Sequence, residues 1–414
     1  MSENSINHFE QCIKCTVCTA YCPVLGVNPA FPGPKQAGPD GERLRLKDKF
    51  YYDPSLKYCL NCKRCEVSCP SGVKIADIIQ SARRRFNDDT PDLRDRVLAN
   101  TDFMGKMARP FAPLVNKVVS LRPVKKVMDV MMDIEQERTF PKYRSKGFDA
   151  IFRSDFAPYQ DRFSRHVAFF RGCSTEFQHP ETGIAFVRLM NAVGIGVRLL
   201  DEKCCGVALM ANGLWHHAEK NARHNVKVFS EAVAGGLPVV AVSSTCAFTM
   251  RDEYPGVLEV DNASVRESIT LAEKFLFEQV DSGRVKLIFR KDYASRIAYH
   301  IPCHMEKLGW SIFTKELLQM APSISLKVLD SNCCGMAGTY GFKKENYPYS
   351  QAIGRPLFEQ IKSLSPDVVC CECETCKWQI EASTGYTVLN PVVILAEALD
   401  IEATCAANGG FVKA

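Results

Sequence analysis

The sequence predicts a multi-domain α+β protein: a small, mainly helical, Cys-rich module followed by two related α/β domains. Two observations carry this reading. Near the N-terminus the run Cys-x-x-Cys-x-x-Cys-x-x-x-Cys-Pro occurs twice, at Cys12, Cys15, Cys18, Cys22 and Pro23 and again at Cys59, Cys62, Cys65, Cys69 and Pro70. Beyond residue 160 the chain repeats itself with an offset of about 130 residues. Cys173 then corresponds to Cys303, Cys204–Cys205–Gly206 to Cys333–Cys334–Gly335, and Cys246 to Cys376. The expected divisions are 1–100 for the Cys-rich module, 101–160 for a basic amphipathic linker, 161–290 for the first repeat and 291–414 for the second.

The N-terminal spacing is that of a module holding two 4Fe–4S clusters. Three thiolates at intervals of three sit on a tightly wound loop and grip one cube, while the fourth, released by Pro, turns to the other cube. The expected ligand sets are therefore Cys12, Cys15, Cys18 and Cys69 for one cluster and Cys59, Cys62, Cys65 and Cys22 for the other. Structural zinc sites also use Cys-x-x-Cys pairs, but they have no use for a third Cys at the same interval in both runs. Between the runs, residues 38–43 (Gly-Pro-Asp-Gly-Glu-Arg) read as an exposed turn leading into a short helix, with a partner-docking surface as the alternative.

Residues 103–128 carry six basic side chains and no acid, interleaved with apolar ones. Pro110, Pro113 and Pro123 divide the stretch into pieces too short to span a bilayer but suited to lying at an interface. Val124, Val127, Met128 and Met131 repeat at helical spacing and predict one apolar face. A linker packed between domains, or a surface for a partner subunit, is the alternative.

In each repeat a buried strand runs into the first Cys (residues 167–170; 297–300). A second strand (197–200; 326–329) feeds Cys-Cys-Gly, and a third (239–242; 368–369) feeds the last Cys. Helical stretches such as 184–193 and 306–320 lie between them. Strands alternating with helices predict largely parallel sheets, with every Cys at a carboxyl strand end, where open α/β sheets bind ligands. Vicinal thiolates chelate one tetrahedral ion poorly but can bridge the irons of an irregular cluster, and the Gly lets the backbone turn close to metal.

The repeats are unequal. The second offers Cys303, Cys333, Cys334, Cys373 and Cys376; the first has Ser243 where the second has Cys373, leaving Cys173, Cys204, Cys205 and Cys246. The second is the stronger metal site. Cys370 and Cys371 read as packing residues, Cys405 as unligated, and His300 and His304 as hydrogen-bonded structural histidines.

Composition is consistent with this reading. Residues 1–11 lack the apolar core of a signal peptide, which places the twenty Cys in a reducing compartment, free for metal rather than disulfides. The formal charge of +5 falls to roughly +1 once two clusters of about −2 each are counted, so nothing calls for nucleic acid. The longest uncharged stretch, 232–250, is broken by Gly235, Gly236 and Pro238 and reads as helix end, turn, strand and loop rather than a span. No Gly-x-Gly-x-x-Gly follows a strand and no flavin site is recognisable, so the electron donor is expected to be another protein.

Two such Cys runs followed by two Cys-Cys-Gly domains resemble the iron–sulfur electron-transfer subunits that include that of glycolate oxidase and parts of heterodisulfide reductase. The segments CIKCTVC (12–18), GPKQAGPDGERLRLKD (33–48), YCLNCKRCEVSCP (58–70), CHMEKLGW (303–310), CGMAGTYGFKKENYPYSQAIG (334–354) and CETCKWQ (373–379) narrow the resemblance to the C subunits of anaerobic glycerol-3-phosphate dehydrogenases. The resemblance implies a component of an assembly of three different chains at the cytoplasmic face of the inner membrane. There it would carry electrons from a flavin-bearing glycerol-3-phosphate dehydrogenase partner towards the quinone pool, usually menaquinone. It also implies a noncubane iron–sulfur cluster on the complete Cys-Cys-Gly set of the second repeat. The competing expectations are the corresponding subunit of another 2-hydroxy-acid oxidase, such as glycolate oxidase, or a self-contained disulfide or quinone reductase.

Overall fold

The computed structural model describes residues 8–86 and 91–413. Its back half holds two four-stranded sheets of the same design. In the first, β1 (Arg165–Phe170), β2 (Ile195–Leu199), β3 (Val239–Ala241) and β4 (Ile269–Leu271) lie in the order β2-β1-β3-β4, all parallel. In the second, β5 (Ser295–Tyr299), β6 (Ile324–Val328), β7 (Val368–Cys370) and β8 (Val388–Leu389) lie in the order β6-β5-β7-β8, again all parallel. The register repeats too, with Val167 opposite Val197 and Ile297 opposite Leu326. The central strands are apolar runs because both faces are covered, as parallel sheets require. The fold is the multi-domain α/β architecture expected from the sequence, except that each sheet gains a fourth, very short edge strand.

The two repeats share one core. The helix Pro180–Ala192 of the first packs on Pro391–Ala398 of the second, and Ala272–Asp281 packs on Ser311–Gln319. Phe169, Phe186 and Val240 thereby join Tyr299, Leu317, Cys370 and Ile394 in a continuous apolar layer. The helix expected over 306–320 is in fact two, Cys303–Leu308 and Ser311–Gln319. Gly309 (φ 71°) ends the first in the left-handed region that glycine tolerates.

In the N-terminal module both Cys runs adopt the same loop. Lys14 and Thr16 in the first, and Asn61 and Lys63 in the second, have φ between 54° and 62°. Left-handed non-glycine residues cost energy and persist where something over-determines them. Here each falls between two Cys of its run and winds the three-residue intervals into a tight loop. Residues 38–43 depart from the exposed turn expected: Gly38 and Pro39 are buried within the helical segment Gln36–Asp40, which continues into Gly41–Lys47. A side chain on Gly38 would begin 2.8 Å from Ile75 Cγ2, so glycine permits this segment to press on the helix Ile75–Arg85.

Residues 101–132 form the helices Thr101–Ala108, Ala112–Ser120 and Arg122–Met132. Pro113 and Pro123 stand in the first turns of the latter two, where a missing N–H costs nothing. No helix among the described residues is long and apolar enough to cross a membrane.

Candidate metal centres

The N-terminal thiols fall into two groups. Cys12, Cys15, Cys18 and Cys69 line one small pocket. Burial raises the Cys18 thiol, and its thiol neighbours are Cys12, Cys69 and Cys15. Cys22 sits in the other group. Burial pushes its thiol up to about 12, and the thiols beside it are Cys62 and Cys59, not those of its own run. Cys65 is likewise raised, first by burial, with Cys62, Cys59 and Cys22 around it. The structure therefore brings each fourth Cys to the opposite run. The residues present fit an anionic iron–sulfur group: four thiols per site, and a Val73 N–H donating to Cys69 Sγ at 3.4 Å.

The expected ligand thiols of the two repeats line a single cavity of about 810 Å³ between the carboxyl ends of the two sheets, and Cys59 and Cys62 border it as well. In each vicinal pair it is the leading thiol that is acidified. Cys204 is held low by hydrogen bonds from Cys173 and Cys205, and Cys333 by Cys303 and Cys334, in both cases against burial. Gly335 N–H points at Cys333 Sγ from 3.4 Å. Gly206 and Gly335 have φ of 93° and 82°, and a side chain on Gly335 would begin 2.1 Å from Ser350 O, so glycine is required there. Cys373 is drawn down to about 5, chiefly by Cys376. The five expected ligand thiols of the second repeat stand together, and Cys62 of the second N-terminal run neighbours the Cys303 thiol.

The first repeat is assembled differently. Cys173 and Cys204 lie 4.0 Å apart, and Cys205 contacts Cys204 and Cys246. Ser243 donates to Glu374 Oε2 of the second repeat at 2.9 Å. Asp102, which the sequence did not single out, brings a carboxylate oxygen within 4.8 Å of both Cys173 Sγ and Cys204 Sγ. Burial, followed by Cys204, raises its carboxyl to about 6.

The remaining expected residues divide. Cys370 packs in the shared core, as expected, and Cys405 sits beside Glu402 on the helix Ile401–Asn408. Cys371 is more than packing: its Sγ, Cys376 Sγ and a ring nitrogen of His300 lie within 4.8 Å of one another. His304 is a structural histidine, its Nε2 3.1 Å from Asn61 O and its ring stacked on Phe248 at 4.7 Å. His300 departs from that expectation, because neither ring nitrogen has a hydrogen-bond partner among the described residues. Burial lowers its imidazole to about 4, leaving it neutral beside the thiols.

A buried cation joins the module to the repeats. Lys63, between Cys62 and Cys65, is fully enclosed and paired with Asp77, with Glu253 at 3.6 Å and Glu66 at 3.9 Å. Burial opposes its charge, but the three carboxylates outweigh burial and hold the ammonium above its ordinary range. Arg64 beside it reaches the second repeat through Ser331 O at 2.7 Å and Glu306 at 3.6 Å.

Comparison with known proteins agrees with this geometry. Residues 8–73 match the 4Fe-4S dicluster domain, and residues 167–251 and 297–381 each match the Cysteine-rich domain. The chain is 54% identical over 393 residues to the C subunit of the anaerobic glycerol-3-phosphate dehydrogenase of Escherichia coli (strain K12), spanning 94% of this chain and 98% of that one. It is 24% identical over 408 residues to the glycolate oxidase iron-sulfur subunit of the same organism, spanning 94% of each. With the D subunit of the dihydromethanophenazine:CoB–CoM heterodisulfide reductase of Methanosarcina barkeri the identity is 20% over 428 residues, 95% of this chain and 93% of that one.

Proposed function

The chain belongs to the family of anaerobic glycerol-3-phosphate dehydrogenase C subunits, and from that membership we propose that it is the electron-carrying subunit of a glycerol-3-phosphate:quinone oxidoreductase. A flavin-containing partner oxidises sn-glycerol 3-phosphate to glycerone phosphate, and this chain takes the electrons from it towards the quinone pool. Two 4Fe–4S clusters and one noncubane cluster supply one-electron carriers when bound. The first cubane belongs to Cys12, Cys15, Cys18 and Cys69, the second to Cys59, Cys62, Cys65 and Cys22, and the noncubane cluster to Cys303, Cys333, Cys334, Cys373 and Cys376.

The observation that carries this reading is the contact between Cys62 and Cys303. It supports the reading because a proposed ligand of the second cubane and a proposed ligand of the second repeat are neighbours that border the same cavity. The chain itself holds no nucleotide or flavin motif, so its part is conduction rather than substrate oxidation. The basic, apolar helices over residues 101–132 hold it reversibly at the cytoplasmic face of the inner membrane.

The test is the complex purified anaerobically with its flavoprotein partner. Addition of glycerol 3-phosphate should produce EPR signals of reduced clusters within this chain, and reduction of a menaquinone analogue should require it. Clusters that stay oxidised while the partner turns over with substrate would overturn the proposal.

A further inference from the structure

The two Cys runs of the N-terminal module adopt the same loop, yet only one of the loops is covered. Aligned Cys to Cys, Leu60, Asn61, Lys63 and Arg64 of the second run correspond to Ile13, Lys14, Thr16 and Val17 of the first. Each loop holds two left-handed residues and passes into a four-residue helix, Val17–Ala20 or Arg64–Val67. The second loop is seated on the repeats. Asn61 Nδ2 donates to Glu253 at 2.5 Å, the Asn61 carbonyl meets His304 Nε2 at 3.1 Å, and Arg64 Nη2 donates to Ser331 O at 2.7 Å. Cys62, the middle thiol of that loop, thereby comes to neighbour Cys303. The first loop presents the same backbone to solvent. Ile13 (66%), Val17 and Tyr21 (55%) are exposed, and so are Lys14, the middle thiol Cys15, and Thr16. Lys14 is the only charged residue from Cys12 to Pro23 and makes no ion pair among the described residues.

We propose that the face formed by Ile13, Lys14, Cys15, Val17 and Tyr21 is the docking surface for the flavin-bearing partner, and that electrons enter this chain there. The inference rests on the carrier role proposed above. Its model is internal: the equivalent loop of the second run already docks on a thiol-lined redox domain, and what receives it there is apolar surface with the carboxylates Glu253 and Glu306. The first loop carries apolar side chains and one free ammonium, so it fits a partner surface that is apolar and bears a carboxylate beside its redox group, a centre-and-charge pattern usual for interfaces. The other end of the row is already taken. Cys12, Cys15, Cys18 and Cys69 line a small pocket apart from the cavity between the repeats, which Cys59 and Cys62 border. The basic, apolar linker helices pack on the first repeat, Thr101–Ala108 against Gly172–Phe177 and Arg109 with Glu176 at 2.9 Å. Entry at Cys15 therefore leaves the repeats and the linker helices for the exit. Each transfer oxidises the partner's reduced flavin by one electron and reduces the cluster on Cys12, Cys15, Cys18 and Cys69 by one. Two transfers return the flavin to its oxidised form, its protons pass to water, and no covalent bond in this chain is made or broken.

The experiment uses the cluster-loaded full chain and its flavoprotein partner under anaerobic conditions. Ile13→Glu and Val17→Glu should each raise the Kd for the partner at least about tenfold, with the EPR signals of the dithionite-reduced chain showing that both cubanes are in place. A second measurement needs no variant: zero-length carbodiimide cross-linking of the parent complex should join Lys14 to a carboxylate of the partner. Variants that bind the partner as tightly as the parent does would overturn the proposal. Cross-links that bypass Lys14 and fall on Lys117, Lys125 and Lys126 would overturn it too, by placing the partner on the linker helices. Addition of glycerol 3-phosphate to the parent complex separates this inference from the reading beneath it. Clusters that reduce while both variants bind normally strike the docking face alone, and clusters that stay oxidised strike the carrier role and the docking face together.

Discussion

Ser243 Oγ donates a hydrogen bond of 2.9 Å to Glu374 Oε2, and Thr245 beside it lies 3.4 Å from Cys373 Sγ. The position that is a thiol in the second repeat is thus a serine turned to the second repeat in the first. The asymmetry of the two Cys sets is built into the interface between them and is not confined to the ligands.

The noncubane cluster is accordingly expected on the second repeat only. Cys334→Ser should abolish its EPR signal and remove its iron, while Cys205→Ser should leave both intact. Anomalous scattering at the iron edge provides the direct check, with a four-iron peak beside Cys333 and Cys334. An equal peak beside Cys204 and Cys205 would defeat the asymmetry.

Cys22 is surrounded by Cys62 and Cys59 rather than by the thiols of its own run. Cys22→Ser should therefore damage the cluster held by Cys59, Cys62 and Cys65 and spare the one held by Cys12, Cys15 and Cys18. EPR of the variant decides between the crossed and uncrossed assignments, since the uncrossed one requires the opposite loss.

Much of this arrangement could be read from the sequence because its signals are local. A three-residue Cys interval, a β-branched run ending in Cys and a repeated Cys-Cys-Gly each imply their own geometry within a few residues. What escaped was non-local. Asp102 and Cys204 lie 102 positions apart, and no pattern links them. β4 and β8 span three and two residues, too few to show a period. His300 has a polar ring, which suggested a hydrogen bond, yet it is enclosed without one among the described residues. The buried fate of Gly38 and Pro39 depends on Ile75 pressing from another helix, which turn chemistry alone does not reveal.

Lys63 is the common partner of Asp77, Glu66 and Glu253, so its removal leaves three enclosed carboxylates facing one another. Breaking a buried pair from one side costs about 3–5 kcal/mol. Lys63→Met should weaken the holo-protein by about that much in anaerobic denaturant unfolding, through loosened contact between the N-terminal module and the first repeat. A loss under about 1 kcal/mol, the range of an exposed pair, would show that the three acids already carry protons.

Glu273 is fully buried, neither carboxylate oxygen has a hydrogen-bond partner among the described residues, and burial followed by Glu372 raises its carboxyl well above the usual range. Below the ordinary glutamate value, about 4.3, folded and unfolded chains both hold the proton and the group is neutral to stability. Above it the unfolded chain releases the proton and the folded one keeps it, so stability falls as pH rises, by about 1.4 kcal/mol per unit at most. Glu273→Gln should remove this slope. The gap between variant and parent in unfolding temperature should then widen in the variant's favour from pH 5 to pH 8. A constant gap would mean that Glu273 titrates alike in both states.

The helices over residues 101–132 expose Phe103 (61%), Met107, Phe111, Leu114, Val127 and Met131 (78%). Of the face expected from Val124, Val127, Met128 and Met131, Val127 and Met131 stand open to solvent while Val124 and Met128 are half-buried. Arg109 is held by Glu176 at 2.9 Å, so attraction to a lipid surface rests on the other cations. Lys117, Arg122, Lys125 and Lys126 are each worth about 1 kcal/mol near anionic lipid, and losing four lowers partitioning by about a thousandfold. Reversing all four to Glu should release the protein from anionic liposomes at low salt, and replacing Phe111, Leu114 and Met131 with Ser should weaken the binding that survives at high salt. If the charge-reversed variant floats with anionic liposomes as well as the parent does, the membrane role fails. The apolar face would then be a docking surface for a partner subunit, which the same variants would test by co-purification.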